Sequence, residues 1–280
     1  MFSRKIIFIL CLIFIAAVIV PAQISTGKRD SINKKIRSSH DTLKVLTLCK
    51  LSRMMVGNSP DSALILADSA FKIAKRNKYQ QGLAQSYANM GSAQNTIGKY
   101  DIAIKNFISA AELFEKLKNK YGLSNVLNSI GNAYLGVKNN DKAYEYYLKA
   151  YDIANQEPIN ENMVAVTSFG IGSILTEQGK SAEAISYFRK AEASFRKQNI
   201  LNYAAMAVSM IGETYFRDSN YVEAEKTYLS VVPVFRETQD DYGLATALAN
   251  LGAIDLERKK YASAIDYYKE AIDINFKRNA

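Results

Sequence analysis

The 280-residue chain holds one histidine, two cysteines and no tryptophan. Each scarcity removes a class of chemistry. His40 is the sole imidazole, and no cluster of His, Cys, Asp and Glu has the spacing of a metal site. A Cys–His nucleophile pair would have to be Cys49 with His40, both in the least regular part of the chain. No set of nucleophile, base and oxyanion donors can be named, so neither catalysis, nor a cofactor, nor a metal is expected. Gly170-Ile171-Gly172 is no phosphate loop, because it lies inside a helical run with no strand before it.

Cysteine usage also bears on stability. Cys11 falls in an apolar leader, without the small residue expected before a lipidated cysteine. If that leader is removed, Cys49 stands alone and no internal disulfide can form. Cys49 is then expected to act as a small buried apolar residue.

That leader opens with Met1-Phe2-Ser3-Arg4-Lys5, runs uncharged from Ile6 to Val20, and ends in Pro21-Ala22-Gln23. A basic start, an apolar stretch of 15 residues and small residues at 20–22 form a secretory signal, with cleavage expected after Ala22. A spanning helix needs about 20 apolar residues, so a permanent anchor in the inner membrane is the weaker alternative. Residues 23–40 are polar and read as a lead-in.

Acidic charge is scarce only at one end. The net charge is +9, yet residues 28–80 carry twelve Lys/Arg against four Asp/Glu, and outside Arg4 and Lys5 the rest is near neutral, with 22 basic and 23 acidic residues. A nucleic-acid partner would call for a basic stripe along the whole molecule. Here the basicity belongs to a leader and one helix face, so nucleic acid is not an expected partner.

What the chain has in abundance is repetition. Gly91, Gly131, Gly172, Gly212 and Gly252 recur at intervals of 40, 41, 40 and 40 residues. Twelve residues after each comes Ala103, Ala143, Ala184, Ala224 or Ala264. Sixteen after comes an aromatic: Phe107, Tyr147, Phe188, Tyr228 or Tyr268. Nineteen after comes Ala110, Ala150, Ala191, Val231 or Ala271. Steps of three and four keep these residues on one helix face. Each block therefore reads as two helices with a short break, rich in Gly, Asn and Ser, between them. Glycine inside a helix costs about 1 kcal/mol against Ala. The aromatic sixteen residues on supplies a reason to tolerate that cost, because its ring needs the room.

This layout resembles the tetratricopeptide repeat. The segments YANMGSAQNTIGKYDIAIKNFISAAELF and LANLGAIDLERKKYASAIDYYKEAIDI match it well, although most such units are nearer 34 residues. The spacing of 40 is similar to a longer subclass found in kinesin light chains, cell-polarity adaptors and bacterial peptide-pheromone receptors. HEAT and armadillo arrays share the period without this register. Propellers share it too, but these blocks are helical and tryptophan is absent. An earlier block fits in degenerate form, with Leu51 in place of Gly, then Ala63, Ala67 and Ala70; Ser59 is expected to cap its second helix and Pro60 to open it. The resemblance implies an all-α, right-handed α-solenoid of about six helix-turn-helix pairs over residues 41–280. Pro233 is expected to bend or end the second helix of the fifth pair, and Glu157-Pro158 to stretch the loop before the fourth.

The resemblance also implies a binding function, along a concave groove lined by the first helix of each pair. Candidate groove residues are Gln85, Asn89 and Ser92; Asn125, Asn128 and Asn132; Phe169 and Ser173; Met206, Glu213 and Phe216; and Asn250. Asparagine can both donate to and accept from a peptide backbone. Phe169 and Phe216 are expected to offer apolar pockets, so that truncating either weakens binding without melting the array. No Lys or Arg stands on these faces, which sets aside a clamp for a terminal carboxylate. The expected function is a non-enzymatic, exported scaffold or adaptor for a peptide or protein, in the periplasm or cell envelope of a bacterium. The alternative is the extracytoplasmic input region of a signalling protein, a sensor kinase or regulator. The chain stops after the second helix of its last pair with no polar capping helix, which leads to the expectation of oligomerisation there or of a longer parent.

Overall fold

The computed structural model describes residues 41–156 and 158–279. The expected signal segment at 1–22, the lead-in at 23–40 and His40 lie outside the described residues. Those residues form twelve α-helices and no strand. They fall into two compact units divided after Gln156, the point at which the sequence predicts a longer loop. The first unit contains α1 (Asp41–Met55), α2 (Pro60–Arg76), α3 (Gln80–Thr96), α4 (Tyr100–Lys116), α5 (Lys120–Gly136) and α6 (Asn140–Ala154). The second contains α7 (Glu161–Glu177), α8 (Ser181–Lys197), α9 (Leu201–Arg217), α10 (Tyr221–Glu237), α11 (Asp241–Glu257) and α12 (Tyr261–Asn279). Odd-numbered helices are the first of each hairpin and even-numbered ones the second. The fold is an all-α solenoid of six hairpins, three in each unit.

The recurrent glycines have the packing role the period implies. A Cβ built on Gly131 would lie 2.6 Å from Tyr147, on Gly91 2.7 Å from Phe107, and on Gly172 2.8 Å from Phe188. The gap widens to 3.0 Å between Gly212 and Tyr228 and 3.1 Å between Gly252 and Tyr268. Each glycine thus lets the ring of its own second helix lie flat on the first. Phe107, Tyr147, Phe188 and Tyr228 are fully buried, which is worth about 2–3 kcal/mol for each ring. The alanines between them, from Ala103 to Ala264, are also buried and hold the helices close.

A second glycine series joins one hairpin to the next. Gly122 receives the ring of Phe114 from α4, and Gly243 that of Phe235 from α10, with built Cβ distances of 2.6 and 2.5 Å. In the fifth hairpin a tyrosine replaces the glycine. There Phe195 stacks on Tyr203, with centroids 5.4 Å apart.

The three-residue turns close in one way throughout. The amide three residues past the helix reaches back five residues, as in Tyr79 N–H to Ala74 O and Asn139 N–H to Tyr134 O, both 2.9 Å. This is the Schellman closure, which needs a left-handed residue in the turn. Gly98 and Gly179 fill that role, but seven other turns use non-glycine residues, among them Lys78, Lys118, Lys138 and Lys259 at φ 52–60°.

One local expectation is corrected and another is narrowed. Ser59 makes no side-chain cap to α2; its hydroxyl donates to Ser62 Oγ instead, at 3.1 Å. Pro60 does open that helix. Pro233 does not end α10, which runs on to Glu237. The proline sits on the exposed face, where its ring meets water rather than a neighbouring helix.

Candidate functional site

In the first unit the candidate residues lie on α3 and α5, and packing claims several of them. Asn89 is 8% exposed, and its Nδ2 donates to Cys49 O on α1 at 2.6 Å. It ties consecutive hairpins together. Ser92 Oγ donates to Ala88 O at 3.0 Å and Asn125 Nδ2 to Tyr121 O at 2.7 Å, each one turn back along its own helix. Asn132 Oδ1 accepts from the Tyr147 hydroxyl on α6, which satisfies the only polar atom of a buried ring. Gln85 is half-buried.

Asn128 differs from these. It is 8% exposed, and its Oδ1 is buried with no hydrogen-bond partner among the described residues. A buried amide oxygen without a partner costs about 1–3 kcal/mol. Around this wall the structure adds aromatic surface that the repeat register did not single out. Tyr134 and Tyr146 stack with centroids 5.5 Å apart. Lys142 lies 5.1 Å from the Tyr134 centroid and Lys149 5.1 Å from that of Tyr146. Tyr87 meets Phe71 edge-on at 5.0 Å.

In the second unit the stripe divides. Phe169 is 1% exposed and packs edge-to-face on Phe188 at 5.6 Å. Ser173 is fully buried, and its hydroxyl donates to Phe169 O at 2.9 Å. Neither offers a surface to a ligand, so the expectation of a Phe169 pocket is corrected. The cause lies in α7, whose run from Met163 to Ala165 and from Thr167 to Thr176 is buried all round. A stripe counted along that helix cannot find a free face. Met206, Glu213, Phe216 and Asn250, on α9 and α11, are half-buried and keep accessible edges. Phe216 tilts against Tyr221 at 5.6 Å, and Glu213 accepts from Arg217 Nε at 3.0 Å.

Burial shifts the acidities of Cys49 and several tyrosines. It pushes the Cys49 thiol up from its ordinary value, partly offset by Ser86 Oγ at 3.6 Å. A raised thiol pKa makes a poor nucleophile. Burial likewise pushes Tyr147 far up, and raises Tyr203 to about 12. Among the described residues no group of three or more His, Cys, Asp or Glu could hold a metal ion, and no helix is long and apolar enough to cross a membrane. The arrangement offers amide and hydroxyl groups, aromatic faces and a few charges along first-helix walls, which is binding chemistry.

Comparison with known proteins places this architecture. Ycf3, a photosystem I assembly protein of Rippkaea orientalis, is 30% identical over 136 residues, covering 49% of this chain and 76% of that protein. A signal transduction ATPase with a tetratricopeptide repeat sensor, from Pyrococcus horikoshii, matches with a TM-score of 0.78 at 16% identity, over 95% of this chain and 42% of that one. A Rap protein complexed with competence and sporulation factor matches with a TM-score of 0.58 at 14% identity, over 98% of this chain and 87% of that one. At such identities the structural likenesses speak for the fold alone. The family model for the tetratricopeptide repeat covers residues 122–197 and 203–275, more than half the sequence. With that match, and with the glycine–aromatic register seated as described, the chain belongs to the tetratricopeptide repeat family.

Proposed function

We propose that the protein is a non-catalytic, exported scaffold whose first-helix faces bind a peptide or protein partner. The observation that carries this reading is the pair of half-buried amides on α5, Asn125 and Asn132, each with one end still open. A ligand strand laid along α5 would meet both an acceptor and a donor there. The Oδ1 of Asn125 and the Nδ2 of Asn132 remain to accept from and donate to the same strand, since one end of each amide is already engaged. Export rests on the basic and apolar pattern of residues 1–22 and puts the partner in the periplasm or cell envelope.

A random peptide library displayed on phage tests the groove. Peptides selected against the protein should lose at least tenfold in affinity when Asn125 and Asn132 are both changed to Ala. Failure to select any peptide above background, or equal affinity for the variant, removes the reading. Fractionation of the native host with N-terminal sequencing tests export, which requires an envelope protein beginning at Gln23.

The sensory reading has one observation in its favour. The repeat-sensor ATPase matches nearly all of this chain, while the chain spans under half of that protein. An output domain continuing the reading frame beyond Ala280 would select that alternative, and an immediate stop codon would reject it.

A further inference from the structure

Helix α12 carries an apolar stripe with no partner among the described residues. Tyr261, Ile265, Ile272 and Phe276 are 58, 52, 64 and 76% exposed. At 100° per residue they fall within about 60° of one another on the helix, a single line roughly 22 Å long. Their register departs from that of the earlier second helices. The positions matching Tyr261, Ile265 and Ile272 in α10 are Tyr221, Glu225 and Val232, all half-buried. The ring that seats on the next hairpin's glycine is Phe114 in α4 and Phe235 in α10. In α12 the matching residue is Asn275, while the ring has moved one place on to Phe276, where α8 and α10 carry Arg196 and Arg236. Ala74 of α2 holds the position of Asn275 and α3 still packs on that helix, so what sets α12 apart is a ring exposed where α8 and α10 carry arginine.

The stripe is complementary to itself. Its spacing of four, seven and four reads the same in both directions about the point between Tyr268 and Lys269. We propose that this face is the contact between two copies of the chain, paired antiparallel through α12 across a two-fold axis at that point. The axis sets Tyr261 against the partner copy's Phe276 and Ile265 against its Ile272, the isologous pairing a two-fold requires. The register also brings charges close to the axis. Each Lys269 lies one residue, about 1.5 Å along the axis, from the other copy's Lys269 and two residues, about 3 Å, from its Asp266. Asp266 and Lys269 are exposed and make no ion pair among the described residues. The two Lys269 stems flank the axis, with an Asp266 carboxylate on the outer side of each. The four side chains present on the order of 400–500 Å² of apolar surface per copy, beyond what scattered exposure explains. Covered in full on both copies they would bury about 800–1,000 Å², close to the roughly 1,000 Å² of a specific contact. The pairing is independent of the groove and stands or falls separately.

The test uses the protein purified as its own cell processes it. Sedimentation over a concentration series should show a monomer–dimer equilibrium. Phe276→Arg should raise the dissociation constant at least tenfold with unchanged helicity, and with an unchanged melting temperature at concentrations where both proteins are monomeric. Oxidative cross-linking reads the register, since Cys49 is buried. A mixture of Ile265→Cys and Ile272→Cys chains should link across copies at least fivefold faster than either variant alone, whose thiols lie about 10 Å apart along the axis. A monomer at every concentration, a dimer indifferent to Phe276→Arg, or self-linking as fast as mixed linking overturns the proposal.

Discussion

Replacing each recurrent glycine by alanine gives the sharpest test of why the period exists. Two opposing terms decide the sign. Alanine gains about 1 kcal/mol of helix propensity over glycine in a helix interior. Against this, a methyl forced into a packed ring costs about 1–3 kcal/mol when the ring cannot move. The built Cβ distances run from 2.6 Å at Gly131 and 2.7 Å at Gly91 through 2.8 Å at Gly172 to 3.0 Å at Gly212 and 3.1 Å at Gly252. Tyr147 and Phe107 are buried on all sides, so neither can yield. Gly131→Ala and Gly91→Ala should therefore destabilise by up to about 2 kcal/mol. Tyr268 is half-buried on the last helix and needs to give only a few tenths of an ångström. Gly252→Ala should be neutral or stabilising by up to about 1 kcal/mol.

Urea denaturation of the five variants measures the series, with the m-value watched because repeat arrays can lose two-state behaviour. A double-mutant cycle isolates the cause: Gly91→Ala combined with Phe107→Leu should cost less than the two single changes summed, by about 1 kcal/mol or more. If Gly91→Ala and Gly131→Ala stabilise as much as Gly252→Ala, or if the cycle shows no coupling, the glycines are not kept for room and the packing account of the period fails.

Other consequences separate core from surface. Phe169→Ala should lower stability by about 3–5 kcal/mol, as for a fully buried ring, while Phe216→Ala should cost clearly less; comparable urea midpoints would contradict the burial described. Pro233→Ala restores an amide to the exposed face of α10 and should stabilise by up to about 3 kcal/mol, read as a rise in melting temperature. Lys118→Gly removes a left-handed lysine and should stabilise by up to about 1 kcal/mol by the same assay, the relief of strain exceeding the added unfolded-state entropy. Alkali should denature the protein. Tyr147 stays protonated in the folded state above the pH near 10 at which the unfolded phenol ionises, so the unfolded state binds fewer protons and stability falls by about 1.4 kcal/mol per pH unit. Phenolate absorbance from Tyr147 appearing before the helical signal is lost would refute that.

What the sequence discloses and what it conceals follow from how often each feature is copied. Gly91 and Phe107 are sixteen residues apart, and so are four further pairs, so the repeat itself aligns partners that one copy would never reveal. The left-handed lysines leave no trace in the sequence, because the Schellman closure is made by backbone groups and lysine carries no turn signature. Ser59 has the residue type of a cap and the right place before Pro60, yet its hydroxyl bonds to Ser62.

The binding face is harder to read, and the reason is physical. A stripe of every third or fourth residue identifies an open face only when the opposite face is apolar and this one is polar. On α3 and α5 that contrast exists, although Asn89 shows that a polar residue on the stripe can serve stacking instead. Its amide grips Cys49 O forty residues earlier, and a bond to a backbone carbonyl leaves no mark on the partner's side chain. On α7 the contrast vanishes, because Val164, Phe169, Ile171 and Ile174 are buried around the whole helix. The α12 stripe has the opposite property. Its apolar residues are visible in the sequence, but they read as ordinary core until the structure shows Phe276 exposed where α8 and α10 carry arginine. Departures from a repeat carry more functional information than the repeat does, and they become legible only once the packing rule they break is known.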